Sequence, residues 1–79
     1  MPTRARTRPP IPLPGVVIDG DRLRQVRESA GLSREQVAVA VGLTAGAITH
    51  YELGNRGPAP DTLARLCGVL GIEVAEVTL

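Results

Sequence analysis

The segment SREQVAVAVGLTAGAITHYELG, Ser33 to Gly54, admits two readings at its centre. Valine stands at every second position from Val37 to Val41, the rhythm of a β-strand. A half-buried strand would place polar residues between them, whereas Ala38 and Ala40 are good helix formers. Ser33 and Gln36 have the S-x-x-Q form of a capping box, which starts a helix at Arg34. Val37, Ala38 and Val41 then share one face, leaving Val39 and Ala40 outside. Gly42 suits the left-handed position that ends a helix, and Leu43 fills the corner. Thr44 can cap another helix with Ala47, Ile48 and Tyr51 on its inner side and Gly54 at its end. The expectation is two short helices, Arg34–Val41 and Ala45–Leu53, around a three-residue turn.

Helical signals continue outward in both directions. Asp19 is a candidate N-cap, with Ile18 and Leu23 at the positions of a hydrophobic staple. Leu23, Val26, Arg27 and Ala30 come next on one face, and Gly31 supplies the stop. On the other side, Pro60 suits the first position of a further helix. Leu63, Leu66, Cys67 and Leu70 repeat there at helical spacing, and Gly71 ends it. Gly68 within that helix weakens it by about 1 kcal/mol relative to alanine. Glu73 to Leu79 allow either one more helical turn or an extended tail.

The first part of the chain reads differently. Pro2, Pro9, Pro10, Pro12 and Pro14 lie among Arg4, Arg6 and Arg8. Proline lacks a backbone donor and disfavours helix in the residue before it, so residues 1–18 are expected to form an extended, disordered arm. Val16-Val17-Ile18 reads either as a short edge strand or as apolar residues tucked against the body. The folded domain is expected over residues 19–79.

The 79 residues allow one small domain. With the arm set aside, about 60 residues remain, near the lower limit for independent folding. Phe and Trp are absent and Tyr51 is the only aromatic, so Leu, Val, Ile and Ala must form the core. Cys67 is alone, which excludes a disulfide within the chain and fits a reducing, cytoplasmic setting. No apolar run is long enough to span a membrane, and the arginine-bearing start lacks the apolar region of a signal peptide. All nine basic residues are arginine and the net charge is +1. Asp19 to Leu79 holds six arginines and eight carboxylates, or −2, so any attraction to a polyanion must come from a local patch and from the arm.

Five short helices with a tight helix–turn–helix at the second and third fit a compact, all-α DNA-binding fold. From Leu23 to Val77 the chain resembles the lambda-repressor-like, Cro/C1-type (XRE) helix-turn-helix family. The residues that carry the resemblance are LRQVRESAGLS, Ala38, Gly42 and Ile48 at the family's spacing, YELGNRGP and TLARLCGVLGI. The resemblance implies a salt bridge between Arg27 and Glu52, joining the first helix to the end of the third. It also implies base-reading positions at Thr44, Ala45, Gly46, Thr49 and His50, and phosphate contacts from Arg34, Asn55 and Arg56.

Each position also has a plainer role. Thr44 is a helix cap, His50 an exposed surface histidine, and Arg34, Asn55 and Arg56 are solvated polar residues. The base-reading set is small and uncharged, with no Arg, Gln or Asn for bidentate pairing, so a modest sequence preference is expected. The chain departs from the family in Arg34 for the usual glutamine, Cys67 for alanine, and the apolar Val39 and Leu53. These last two are either stray surface residues or part of a partner surface. Cys67 reads as a small core residue.

Nothing in the sequence resembles a nucleophile–base pair, a phosphate-binding glycine loop or a metal cluster. No enzyme activity, cofactor or metal is therefore expected. The functional expectation is a bacterial or phage transcriptional regulator, repressor-like, that binds double-stranded DNA as a homodimer. The alternative is a protein-interaction module, such as an antitoxin-like or accessory subunit, with the same fold.

Overall fold

A computed structural model describes residues 15–79. Arg4, Arg6, Arg8 and most of the expected arm lie outside the described residues. Helix α1 spans Gly20–Ser29 and is capped by Asp19, whose carboxylate accepts from the Arg22 N–H at 3.1 Å. Helix α2, Arg34–Val41, carries both hydrogen bonds of the capping box. The Gln36 N–H donates to Ser33 Oγ at 3.0 Å, and the Ser33 N–H to Gln36 Oε1 at 2.8 Å. The alternating valines thus sit on a helix, with Val37 and Val41 buried and Val39 80% exposed.

Gly42 takes φ 77°, a left-handed angle that a β-carbon would strain. The chain turns there, and the Leu43 N–H returns to the Ala38 carbonyl at 2.8 Å. Helix α3, Ala45–Leu53, is capped by Thr44 and ends at Gly54. Helix α4, Pro60–Leu70, has proline in its first turn and ends at Gly71.

The five-helix count requires correction. After α4 only a single 3-10 turn forms, Val74–Glu76. The last residues of the chain are the reason. Thr78 pairs with Ile18 in an antiparallel bridge, and the Asp19 N–H donates to the Val77 carbonyl at 2.7 Å. Val77 leaves helical geometry at φ −120° and ψ −1°, and its carbonyl is taken by Asp19, so no second helical turn follows. The architecture is four α-helices and a 3-10 turn.

The same pairing takes residues 15–18 out of the expected arm. The prolines place residues 15–18 in the expected arm, but Ile18 is buried and the Val16 N–H donates to the Pro58 carbonyl at 2.8 Å. Val16–Ile18 is an apolar strap on the body, joined to the C-terminal residues by one bridge and not by a full strand.

One core collects the inner faces of all four helices. It contains Ile18, Leu23, Val26, Val37, Ala38, Val41, Ile48, Tyr51, Leu63, Leu66, Cys67, Leu70 and Val77. Ile48 is fully buried behind the α2–α3 turn. A β-carbon on Gly20 would collide with the Glu52 carbonyl, so α1 crosses the end of α3 with backbone against backbone. Cys67 is buried, and desolvation raises its thiol pKa, with Glu76 and Glu73 adding to the effect. A thiol kept protonated in this way is a poor nucleophile. No described helix is long and apolar enough to cross a membrane.

Candidate nucleic-acid interface

Burial divides α3 into two faces. Ile48, Tyr51 and Glu52 are buried, while Thr44, Gly46 and His50 are on the accessible side with Ala45 and Thr49. Gly46, Thr49, His50 and Leu53 have the i, i+3, i+4, i+7 pattern of one helix face. The sequence-expected base-reading residues therefore share the outward side of α3. Its nine residues form an α-helix, whose diameter with side chains of about 10–12 Å fits the roughly 12 Å width of the major groove.

The hydrogen bonds fix what each side chain can still offer. Thr44 Oγ1 accepts from the Ala47 N–H at 3.2 Å, so its own proton remains available to donate outward. Thr49 Oγ1 donates to the Ala45 carbonyl at 3.1 Å, so its outward capacity is that of an acceptor and a methyl group. His50 Nδ1 lies 3.2 Å from Asn55 Nδ2. With the amide as donor, the neutral imidazole carries its proton on Nε2. A β-carbon on Gly46 would meet only Thr44 Oγ1, at an ordinary 3.8 Å. Neither φ nor packing within the chain demands glycine there.

Glu52 is the only carboxylate on α3, and it faces inward. Arg27 Nε donates to Oε2 at 2.6 Å and Arg27 Nη2 to Oε1 at 3.2 Å. Arg27 Nη1 also donates to the Leu32 carbonyl at 2.9 Å, holding the α1–α2 connection. Arg34 Nε reaches Glu52 Oε1 at 3.0 Å. One carboxylate thus joins α1, α2 and α3. Burial raises the Glu52 pKa, but the hydrogen bonds and charges of Arg27 and Arg34 outweigh it and hold the carboxyl below its ordinary range. The Arg27 guanidinium is held above its ordinary value, first by its hydrogen bond to Glu52.

Arg27 also lies 3.9 Å from Glu28, so the two arginines face two carboxylates. Arg34 is 40% exposed, against 9% for Arg27, so the guanidinium of this group that reaches solvent is Arg34's. Asn55 and Arg56 lie exposed in the loop after α3. Of the three residues expected to contact phosphates, Arg34 reaches the C-terminal end of α3 through Glu52, and Asn55 and Arg56 follow that end in the chain.

The bond from Arg34 to Glu52 is not legible in the sequence, because a helix-starting arginine has no local mark of a partner 18 residues away. The same holds for Gly20 and Gly57. Both occur where the chain crosses itself, at Glu52 and Val16 respectively, and the sequence carries no local signal for such crossings.

Comparison with known proteins agrees with this geometry. Residues 20–79 match the family model described as a helix-turn-helix domain. The chain is 39% identical over 57 residues to the HTH-type transcriptional regulator PuuR of Escherichia coli, covering 72% of this chain and 31% of PuuR. It is 36% identical over 54 residues to YonR, an uncharacterized, SPbeta prophage-derived HTH-type transcriptional regulator of Bacillus subtilis, covering 68% of this chain and 50% of YonR. The match therefore spans a third to a half of these relatives. Among solved structures, the restriction-modification controller protein C.AhdI of Aeromonas hydrophila superposes with a TM-score of 0.68 at 35% identity. That superposition covers 72% of this chain and 86% of C.AhdI. The chain belongs to the helix-turn-helix family of the lambda-repressor-like, Cro/C1 type.

Proposed function

We propose that this protein is a cytoplasmic transcriptional regulator that lays the outward face of α3 in the major groove of double-stranded DNA, as a homodimer on paired half-sites. The observation that carries the reading is the division of α3. Its one carboxylate is buried between two arginines, and its outward side presents small uncharged groups, a histidine and Leu53. Such a face approaches a polyanion without repulsion. Thr44 offers a donor and Thr49 an acceptor to base edges, while Ala45 and the threonine methyls fit thymine methyl groups. Arg34, Asn55 and Arg56 supply phosphate contacts, which set register and most of the affinity. Arg4, Arg6 and Arg8, in the expected arm, add positive charge that residues 19–79, at net −2, lack. Membership of a family with HTH-type transcriptional regulators as relatives supports the same reading. Selection of bound sites from random duplex DNA tests it. Enrichment of a two-fold symmetric site is the expected result.

A second reading rests on a specific observation. Leu53 is 66% exposed on the outward face of α3, and Val39 is 80% exposed on α2. Apolar groups in those places suit a protein partner, as in an antitoxin-like or accessory subunit. Tight association with a protein in the absence of salt-dependent DNA binding would favour it.

A further inference from the structure

The loop between α3 and α4 is fastened at both ends, by two different parts of the chain. At its start, Asn55 is bound to the end of α3. Its N–H donates to the His50 carbonyl at 3.0 Å and its side-chain amide lies 3.2 Å from His50 Nδ1. At its far side, the Pro58 carbonyl accepts from the Val16 N–H at 2.8 Å, and Pro58 itself is buried. Arg56 stands between these two fastenings. No carboxylate lies within ion-pair distance of it among the described residues.

The strap that holds the far side is itself well anchored. Ile18 is buried and bridges to Thr78, and the Asp19 N–H donates to the Val77 carbonyl. Strap and loop touch through their backbones. A β-carbon on Gly57 would collide with the Val16 carbonyl, and one on Gly15 with the Gly57 carbonyl. Gly57 does not have a positive φ, so it is needed for room and not for backbone freedom.

We propose that Gly57 and the strap Gly15–Ile18 form a positioning device, which holds the α3–α4 loop so that Arg56 meets a DNA phosphate with its backbone already ordered. The inference rests on the DNA-binding reading above. A loop fastened before binding need not be ordered during it, which is the advantage of preorganisation. Gly57 touches no nucleic acid in this arrangement. It acts through Arg56.

The test uses the full-length chain and duplex DNA carrying a selected site, with affinity measured over a range of salt. Arg56→Ala is expected to reduce the salt slope by roughly one phosphate's worth. Gly57→Ala, which forces strap and loop apart, is expected to reduce the slope by a similar amount and to weaken binding about tenfold, with Arg56→Ala adding little in the combined variant. A Gly57→Ala protein that keeps the full slope, or whose loss simply adds to that of Arg56→Ala, overturns the proposal. Should Gly57→Ala not fold, amide hydrogen exchange on the wild-type protein decides. DNA is expected to slow exchange at Val16 together with Arg56 and Gly57, and protection of the loop with Val16 unchanged overturns the proposal. If the wild-type chain itself shows no salt-dependent affinity for duplex DNA, the DNA-binding reading fails and the inference falls with it. The two failures are therefore distinguishable.

Discussion

Arg27 on α1 and Glu52 on α3 are joined by a 2.6 Å hydrogen bond from Nε to Oε2, with both side chains buried. The pair orients α3 against α1 at the place where Gly20 lets their backbones meet. Desolvation offsets much of the attraction between buried charges, so such a pair sets geometry more than it adds stability. Removing one partner is different, because it leaves a buried charge under-compensated: Arg27 keeps only the Leu32 carbonyl and the more distant Glu28, and Glu52 keeps only Arg34.

Arg27→Ala and Glu52→Ala are each expected to destabilise the fold by about 3 kcal/mol. Equilibrium unfolding in urea measures this. An unchanged midpoint for both variants would remove the pair from the account. Replacing both residues together by apolar side chains of similar volume is expected to cost far less than either truncation.

Glu52 also gives stability a pH dependence of known sign. Its carboxyl is held below the ordinary range in the folded state, whereas an unfolded glutamate titrates near pH ~4.3. The contribution is fully present above about pH 4.3 and is lost as pH falls toward the depressed folded value, because the unfolded chain takes up the proton first. Unfolding midpoints of wild type and Glu52→Gln, compared from about pH 7 to about pH 3, should therefore converge on the acid side. A difference that stays constant over that range would contradict the assignment.

Gly46 and Gly68 are both helical glycines around which the chain leaves room. Replacing either by alanine is expected to stabilise the fold by up to about 1 kcal/mol. Their effects on DNA should differ. Gly46→Ala puts a methyl group on the outward face of α3 and is expected to weaken binding, whereas Gly68→Ala on α4 should not. Equal affinities for the two variants would show that close approach at Gly46 is unimportant.

Thr49 and Arg34 separate base reading from phosphate contact. Arg34→Ala is expected to weaken binding to every duplex and to flatten its salt dependence by roughly one phosphate's worth. Thr49→Ala is expected to change which sites are preferred, because its free acceptor capacity and methyl group lie on the outward side of α3. Binding to selected and random duplexes measures both. Equal losses on the two by Thr49→Ala would place its contact on the backbone.

The parts of the molecule legible in the sequence are those fixed by neighbours a few residues apart. The capping box of Ser33 and Gln36, the cap at Thr44 and the stops at Gly42 and Gly54 are local, and they set the bounds of α2 and α3. The family resemblance adds the pairing of Arg27 with Glu52, which spans 25 residues and has no local signal. The remainder depends on the chain meeting itself. The bridge between Ile18 and Thr78 joins two distant segments, so a 3-10 turn stands where a fifth helix is expected, and Val16–Ile18 lies on the body. Arg34 reads in the sequence as a phosphate contact or a solvated residue, and neither reading contains the bond from its Nε to Glu52.

We propose that α3 and the residues around its end form a surface for duplex DNA. The most direct measurement is the affinity of the wild-type chain for a site selected from random duplexes, taken as a function of salt beside an unselected duplex. The expected result is tighter binding to the selected site, with both affinities falling steeply as salt rises, since several phosphates are contacted. Binding to neither duplex, or an affinity indifferent to salt, would contradict it.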